Sequence, residues 1–167
     1  VVANCDAVFH LAASVGVENI INHPLSSLKN SLGATEAVLL AAASNHKPIL
    51  FTSSSEVYGL NKETPFAETD RVILGSPHKA RWAYATEKLL SEHLALAYFK
   101  EQQLPVIVVR LFNTIGPRQS AKYGMVVPRF ISQARANKPL TIYGDGSQQR
   151  CFTSVYDVVD ALHTLMQ

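Results

Sequence analysis

The polar and apolar positions of this chain divide it into alternating short apolar runs and longer periodic segments. Residues 6–13 (DAVFHLAA) form a short apolar run that ends in small side chains, the pattern of a buried strand entering a turn. Residues 24–45 carry Leu28, Leu32, Val38, Leu39 and Ala42 roughly at helical spacing. Pro48 breaks that helix, and 49–52 (ILFT) reads as the next strand. Residues 60–81 hold Pro65, Gly75 and Pro77 among charges, which predicts a long surface loop, and long loops in compact domains are often functional. A second amphipathic helix is expected over 82–101. The clearest strand is 105–111 (PVIVVRL), with four consecutive aliphatics after its proline. A loop containing Gly116 and Pro117 follows. Beyond it the pattern predicts a helix at 127–136, a short strand at 140–143, a glycine-rich turn at 144–147 and a helix from 155. No internal repeat or low-complexity segment interrupts this order.

Strands that are apolar throughout and alternate with helices imply an α/β fold, a doubly wound parallel sheet with helices on both faces. Such sheets bind ligands beyond the C-terminal ends of their strands. Three segments fall there: 10–14, 53–59 and 112–117.

Composition narrows the classes. The 167 residues are 47% hydrophobic and 17% charged, as expected of one ordinary domain with a core of its own. The net charge of +2 is spread without a basic run, which argues against nucleic acid or a membrane surface as partner. The longest apolar run, 37–43, is far below the ~18–20 residues a bilayer-spanning helix needs. Cys5 and Cys151 stand apart with no metal-type spacing, so no metal site is expected. The simplest reading is a reduced, cytoplasmic protein with two buried thiols. The chain begins at Val1 close to a strand and ends within a predicted helix, which reads as a piece of a longer protein without a signal peptide.

Four constellations could do chemistry. In Tyr84-Ala-Thr-Glu-Lys88 the phenol and the ammonium are four residues apart and share a helix face. A phenol of pKa ~10 is a poor base at neutral pH. A nearby ammonium stabilises the phenolate, so a Tyr-Lys pair can move a proton on or off a substrate hydroxyl. On its own the spacing also fits an ordinary amphipathic helix. Residues 53–59 (SSSEVYG) place three hydroxyls and a carboxylate at a strand end. Local hydroxyl-to-backbone bonds would explain the serines, whereas a Glu56 lying in a cleft would have its pKa raised by desolvation and suit acid–base work. Residues 110–118 (RLFNTIGPR) offer Asn113 to a ligand, or only a Gly-Pro turn. Residues 144–150 (GDGSQQR) contain a GxG without the following helix and third glycine, so they make no dinucleotide loop. Arg150 could clamp a phosphate or be a solvated charge.

Taken in order, DAVFHLAA, NSLGAT, ILFTSSSEVYG, YATEK, VVRLFNTIGP, VVPRFI and LTIYGDGSQQRCFTSVYDVVDAL cover nearly the whole chain. They resemble the extended short-chain dehydrogenase/reductases, specifically the NAD-dependent epimerase/dehydratase family that acts on nucleotide sugars. The resemblance implies a Rossmann-type domain over 1–118 and part of a nucleotide-sugar-binding lobe over 119–167. That family opens with a strand and a GxxGxxG loop for the cofactor pyrophosphate, a pattern absent from the eight glycines here. The expectation is therefore an incomplete Rossmann unit whose isolated segment binds NAD weakly or not at all.

The resemblance assigns Tyr84 as general base and Lys88 as the partner that lowers its pKa and bonds the nicotinamide ribose. It places Ser54 on the reacting sugar hydroxyl. Leu11, Ala12 and Ala13 would lie along the cofactor, with Asn30 nearby and Ser53 beneath the nicotinamide. Asn113 and Arg150 would bond the sugar-nucleotide diphosphate, and Val127 with the Thr141–Tyr143 strand would bind the nucleobase. The shared first step is oxidation of the sugar C4 hydroxyl by NAD. Ser54-Ser55-Glu56 is where later steps diverge. It lacks the Asp of the dehydratase triplet T-D-E and is closer to the T-S-E of UDP-glucuronate decarboxylases, while KARWAYATEK and FNTIGPRQ resemble nucleotide-sugar epimerases. The implied activity is an NAD-dependent nucleotide-sugar epimerase/dehydratase on a UDP-sugar, with decarboxylation as the alternative. A non-catalytic nucleotide-sugar binding module or an inactive fragment is the alternative of another class. Helices 24–45 and 82–101 are the expected surfaces of a homodimer.

Overall fold

The computed structural model describes residues 1–120 and 125–167. β1 (Val8–His10), β2 (Ile49–Ser54) and β3 (Val106–Leu111) pair in parallel in that order, with Phe9 opposite Leu50 and Ser53 opposite Arg110. All three strands are fed by the expected apolar runs. The crossovers are α1 (Val17–Asn22) with α2 (Pro24–Ser44), and α3 (Ala83–Gln102). α2 and α3 pack on each other and over the sheet around Leu39, Ala42, Ala43, Ile49, Ala95 and Leu104. Burying side chains of this kind is the main favourable term in folding.

The sheet is less evenly covered than uniform apolarity implies. β2 is buried along almost its whole length, β3 only partly, and Phe9 of β1 is exposed. On α2 the buried stripe shares only Leu39 and Ala42 with the apolar series of the sequence pattern. It runs Ser27, Ser31, Thr35, Leu39, Ala42 and Ala43, so its first half turns hydroxyls inward.

β4 (Asn113–Ile115) and β5 (Phe152–Ser154) form a separate parallel pair. α4 (Val126–Arg135) lies between them in sequence, and α5 (Val155–Leu165) follows with Ser154 capping it through Tyr156 N. Gly116 passes so close to Val155 that a Cβ there would collide with it. Three sequence expectations change. α1, β4 and β5 were not anticipated. The strand expected at 140–143 has no regular secondary structure and is held instead by Gln133, which accepts from Thr141 N at 3.1 Å and donates to Thr141 Oγ1 at 2.7 Å. The thiols are not both buried either: Cys5 is half-buried and Cys151 exposed.

The loop 60–81 is held from both ends. Gly59, at φ 63°, brings its backbone against Ile73, and Leu60 N donates to Ile73 O at 2.7 Å. Any side chain at Gly59 would strain this left-handed turn. Tyr58 stacks on Phe66 at 4.5 Å between centroids, and Phe66 continues toward Phe112. Arg110 closes the assembly. Its guanidinium forks onto Glu92, Nε to Oε1 at 2.9 Å and Nη2 to Oε2 at 2.8 Å. It also donates to Glu68 O at 3.3 Å and stacks over Tyr58 at 4.8 Å.

Candidate active site

The C-terminal end of β2 converts an apolar strand into a row of hydroxyls, where the sheet meets the N-terminal turns of α3. Ser54 accepts from Glu56 N at 3.2 Å and so caps the 3-10 turn Ser55–Tyr58, a common use of serine. Its hydroxyl also lies close enough to the Tyr84 phenol to act on it. Capping and proximity to Tyr84 thus coexist.

Lys88 lies one turn along α3 and is only 2% exposed. Its Nζ donates to Thr52 O at 3.0 Å and sits 4.8 Å from the Phe51 ring centroid and 5.9 Å from that of Tyr84. Thr52 Oγ1 donates to His10 O at 3.2 Å, and His10 Nε2 bonds Thr35 Oγ1 at 3.0 Å. Thr35 in turn donates to Ser31 O, and Ser31 Oγ accepts from Ser14 N at 2.9 Å. One chain of hydrogen bonds thus runs from the lysine through β2 and β1 into α2 and back to the turn after β1. Such connected networks fix geometry that single bonds leave loose.

The electrostatics follow from burial. The Tyr84 phenol is raised above its ordinary value chiefly by desolvation; the Ser54 bond opposes this, and the charges of Glu87 and Glu56 add to it. In this chain burial, and not the Lys88 ammonium, sets the direction of the phenol. Burial also lowers Lys88 itself, against the pull of Glu87 and Glu92, and lowers His10, with Lys88 adding to the effect. Glu87, buried beside them, is raised by desolvation, with Lys88 and a bond from Ser91 opposing. One Glu87 oxygen has no partner among the described residues. Glu56 departs from its expected place in a desolvated cleft: its side chain is 51% exposed and pairs with Arg81 at 3.7 Å.

The other expected residues fall into two groups. Leu11, Ala12 and Ala13 form the turn beyond β1, with Leu11 and Ala12 exposed, and Asn30 is exposed on α2. Ser53 is 4% exposed and its hydroxyl has no partner among the described residues. Around α4, Val127 is half-buried. Tyr143 accepts from Arg129 at 3.2 Å, with the guanidinium 4.7 Å over its ring, and Thr141 is held by Gln133. Asn113 donates to Cys151 O at 2.8 Å, which ties β4 to the approach of β5, and Arg150 is exposed and donates to Gln149 O. A trough of about 910 Å³ lined by Val127, Ile131 and Arg135 includes none of Ser54, Tyr84 and Lys88. Sequence reasoning missed Arg81, His10, Thr35 and Arg129. Only the His in HLAA was visible as a polar residue inside a strand.

Among the described residues no helix is long and apolar enough to cross a membrane, and no three His, Cys, Asp or Glu residues gather to hold a metal. The NAD dependent epimerase/dehydratase family matches the chain over residues 1–167, and the chain belongs to that family. It is 44% identical over 157 residues to the UDP-N-acetyl-alpha-D-glucosaminuronate decarboxylase of Bacillus cytotoxicus, covering 93% of this chain and 48% of that protein. Among solved structures it resembles a UDP-glucuronic acid 4-epimerase from Bacillus cereus in complex with UDP-glucuronic acid and NAD. That match has a TM-score of 0.86 and 31% identity, covering 98% of this chain and 50% of the other. A UDP-N-acetylglucosamine 4-epimerase from Methanobrevibacter ruminantium M1 matches with a TM-score of 0.84 and 33% identity, over 93% of this chain and 49% of that one. The chain spans between about a third and a half of the length of the curated relatives it matches.

Proposed function

We propose that this chain carries the reacting end of an NAD-dependent UDP-sugar epimerase/dehydratase. The observation that carries this reading is Lys88, buried on the Thr52 carbonyl and 5.9 Å from the Tyr84 ring, beside Ser54 at the C-terminal edge of a parallel sheet. Residues 1–118 act as part of the NAD-binding domain and 119–167 as part of the nucleotide-sugar lobe. The nicotinamide half of the cofactor fits what is present. Ser53 offers a buried hydroxyl lacking a partner among the described residues, and Leu11–Ala13 with Asn30 border the same strand ends.

Bound NAD would supply a hydride acceptor. The residues do the rest. Ser54 holds the sugar C4 hydroxyl, and Tyr84 takes its proton as the C4–H leaves as hydride, giving a 4-keto sugar. Lys88, fixed on the Thr52 carbonyl, favours the phenolate electrostatically. Desolvation raises the phenol in the chain itself, and the ammonium, 5.9 Å from the ring, is assigned to oppose that rise once substrate and cofactor are bound. Val127, Thr141 and Tyr143 are assigned to the nucleobase end, with Asn113 and Arg150 on the diphosphate. The cytoplasm is the proposed compartment, and α2 and α3 are the proposed faces of a homodimer.

The substrate is a UDP-sugar carrying a C6 carboxylate. Relatives that name such sugars, a decarboxylase and an epimerase, support this. Decarboxylation is the second reading. The 44% identical relative favours it, as does the Ser54-Ser55-Glu56 triplet. Oxidation at C4 makes a uronate a β-keto acid, which can lose carbon dioxide as the C5–C6 electron pair moves toward the ketone.

The test uses an intact protein containing this chain, loaded with NAD and given UDP-glucose, UDP-N-acetylglucosamine or UDP-glucuronate, with products read by NMR. A C4 epimer supports epimerisation and carbon dioxide supports the second reading. Tyr84→Phe should lower turnover by roughly 10²–10⁴, the usual weight of a positioned acid–base group. Full activity in that variant would refute the mechanism.

A further inference from the structure

Resting on that reading, we infer that Arg81 is the specificity residue that recognises the substrate's C6 carboxylate, and that Glu56 holds it in place until substrate arrives.

Arg81 stands in the 3-10 turn Ala80–Trp82 that opens into α3, three residues before Tyr84. Its guanidinium carbon lies over Trp82, 4.4 Å from the ring centroid, and Trp82 is buried against Gly75. The arginine's head, its guanidinium, therefore rests on a fixed ring and is still half exposed. That head reaches Glu56 at 3.7 Å, two residues beyond Ser54, and Glu56 is close enough to Tyr84 for its charge to act on the phenol. Both side chains are about half exposed, at 55% and 51%. A solvated pair of this kind is weak and can exchange partners.

The sugar's geometry supplies the next step. The C6 carboxylate is two bonds from C4, so a C4 hydroxyl on Ser54 and Tyr84 brings the carboxylate to the same strand end. Glu56 alone would repel it. A guanidinium is the side chain best shaped to take a carboxylate through two parallel hydrogen bonds. Arg81 can leave Glu56 for the sugar while staying stacked on Trp82. The exchange lets the site accept an anionic sugar without stranding a charge.

Binding is measured by calorimetry on the intact NAD-loaded protein in a Tyr84→Phe background, so that no sugar is consumed. The probes are UDP-glucuronate and UDP-glucose. Arg81→Met keeps an apolar stem over Trp82 and should weaken UDP-glucuronate roughly tenfold more than UDP-glucose, the weight of one charge-assisted contact. Arg81→Lys should recover part of the difference. Glu56→Gln should tighten UDP-glucuronate, because it removes the competitor. A pair that merely braced the turn would move both variants in one direction and both sugars alike, and that result overturns the inference while the proposed function stands. If neither sugar binds, the proposed function fails and takes the inference with it.

Discussion

The Arg110–Glu92 fork lends itself to a quantitative test of what holds the loop 60–81. Glu92 is 7% exposed and Arg110 16%, and two hydrogen bonds below 3 Å join them. The guanidinium is held charged, above its ordinary value, mainly by its bond to Glu92. Arg110→Met leaves a carboxylate facing the sheet without its cation. Breaking one side of a buried pair costs about 3–5 kcal/mol, and the partial exposure of Arg110 puts the expectation near the lower figure. For a chain of this size about 3 kcal/mol corresponds to a fall in Tm of roughly 6–12 °C. Replacing both charges, Arg110→Met with Glu92→Leu, should be less harmful than either single change, because no buried charge is orphaned. Urea unfolding followed through Trp82, the only tryptophan, reads each variant. The loop should also be cleaved faster by protease in Arg110→Met, since the bond to Glu68 O and the stack on Tyr58 go with it. If the two single changes add to within about 0.5 kcal/mol in the double variant, the pair is not coupled and the reasoning fails.

Two further outcomes follow from the buried titrations. Tyr84 lies above its ordinary value, so the Tyr84→Phe difference spectrum at the phenolate band should show a group ionising above pH 10. Its raised value means that its share of stability is whole below pH 10 and is lost as pH climbs through the folded value. A difference spectrum ionising below 10 would contradict the assignment of desolvation as the dominant cause. Glu87 is likewise raised, so it favours folding below pH 4.5 and costs stability above its folded value. Glu87→Gln should stabilise the chain near pH 7 by about 1–3 kcal/mol, the penalty of a buried unpaired group, and the gain should vanish in acid. A gain that persists at pH 4 would point to packing instead.

How much of this was legible in the sequence depends on the range of the interaction. β2 and β3 could be read because consecutive aliphatics such as Val106–Val109 leave no polar face, and α2 and α3 because their periods are long. β4 and β5 could not, since three-residue strands exist only through pairing as remote as Asn113 with Phe152. At 140–143 the chain has strand-like composition, but the side chain of Gln133 satisfies Thr141 before any strand can. The placing of Ser54 beside Tyr84 came from the family resemblance. The exposure of Glu56 did not, because it depends on Arg81, a partner 25 positions away with no motif to mark it. Burial of Glu92 on α3 ran against the sequence pattern for the same reason, since its partner Arg110 lies on β3.

Lys88 is anchored by a backbone carbonyl, that of Thr52, and not by a side chain. No point mutation can delete that acceptor. The residue at 52 can change its side chain completely and still present the same oxygen, as long as β2 keeps its register between β1 and β3. Random substitution will therefore seldom mislay the ammonium; only an insertion or deletion that slips the strand would do so. The lysine's address is written in strand pairing, and it is inherited with the fold itself.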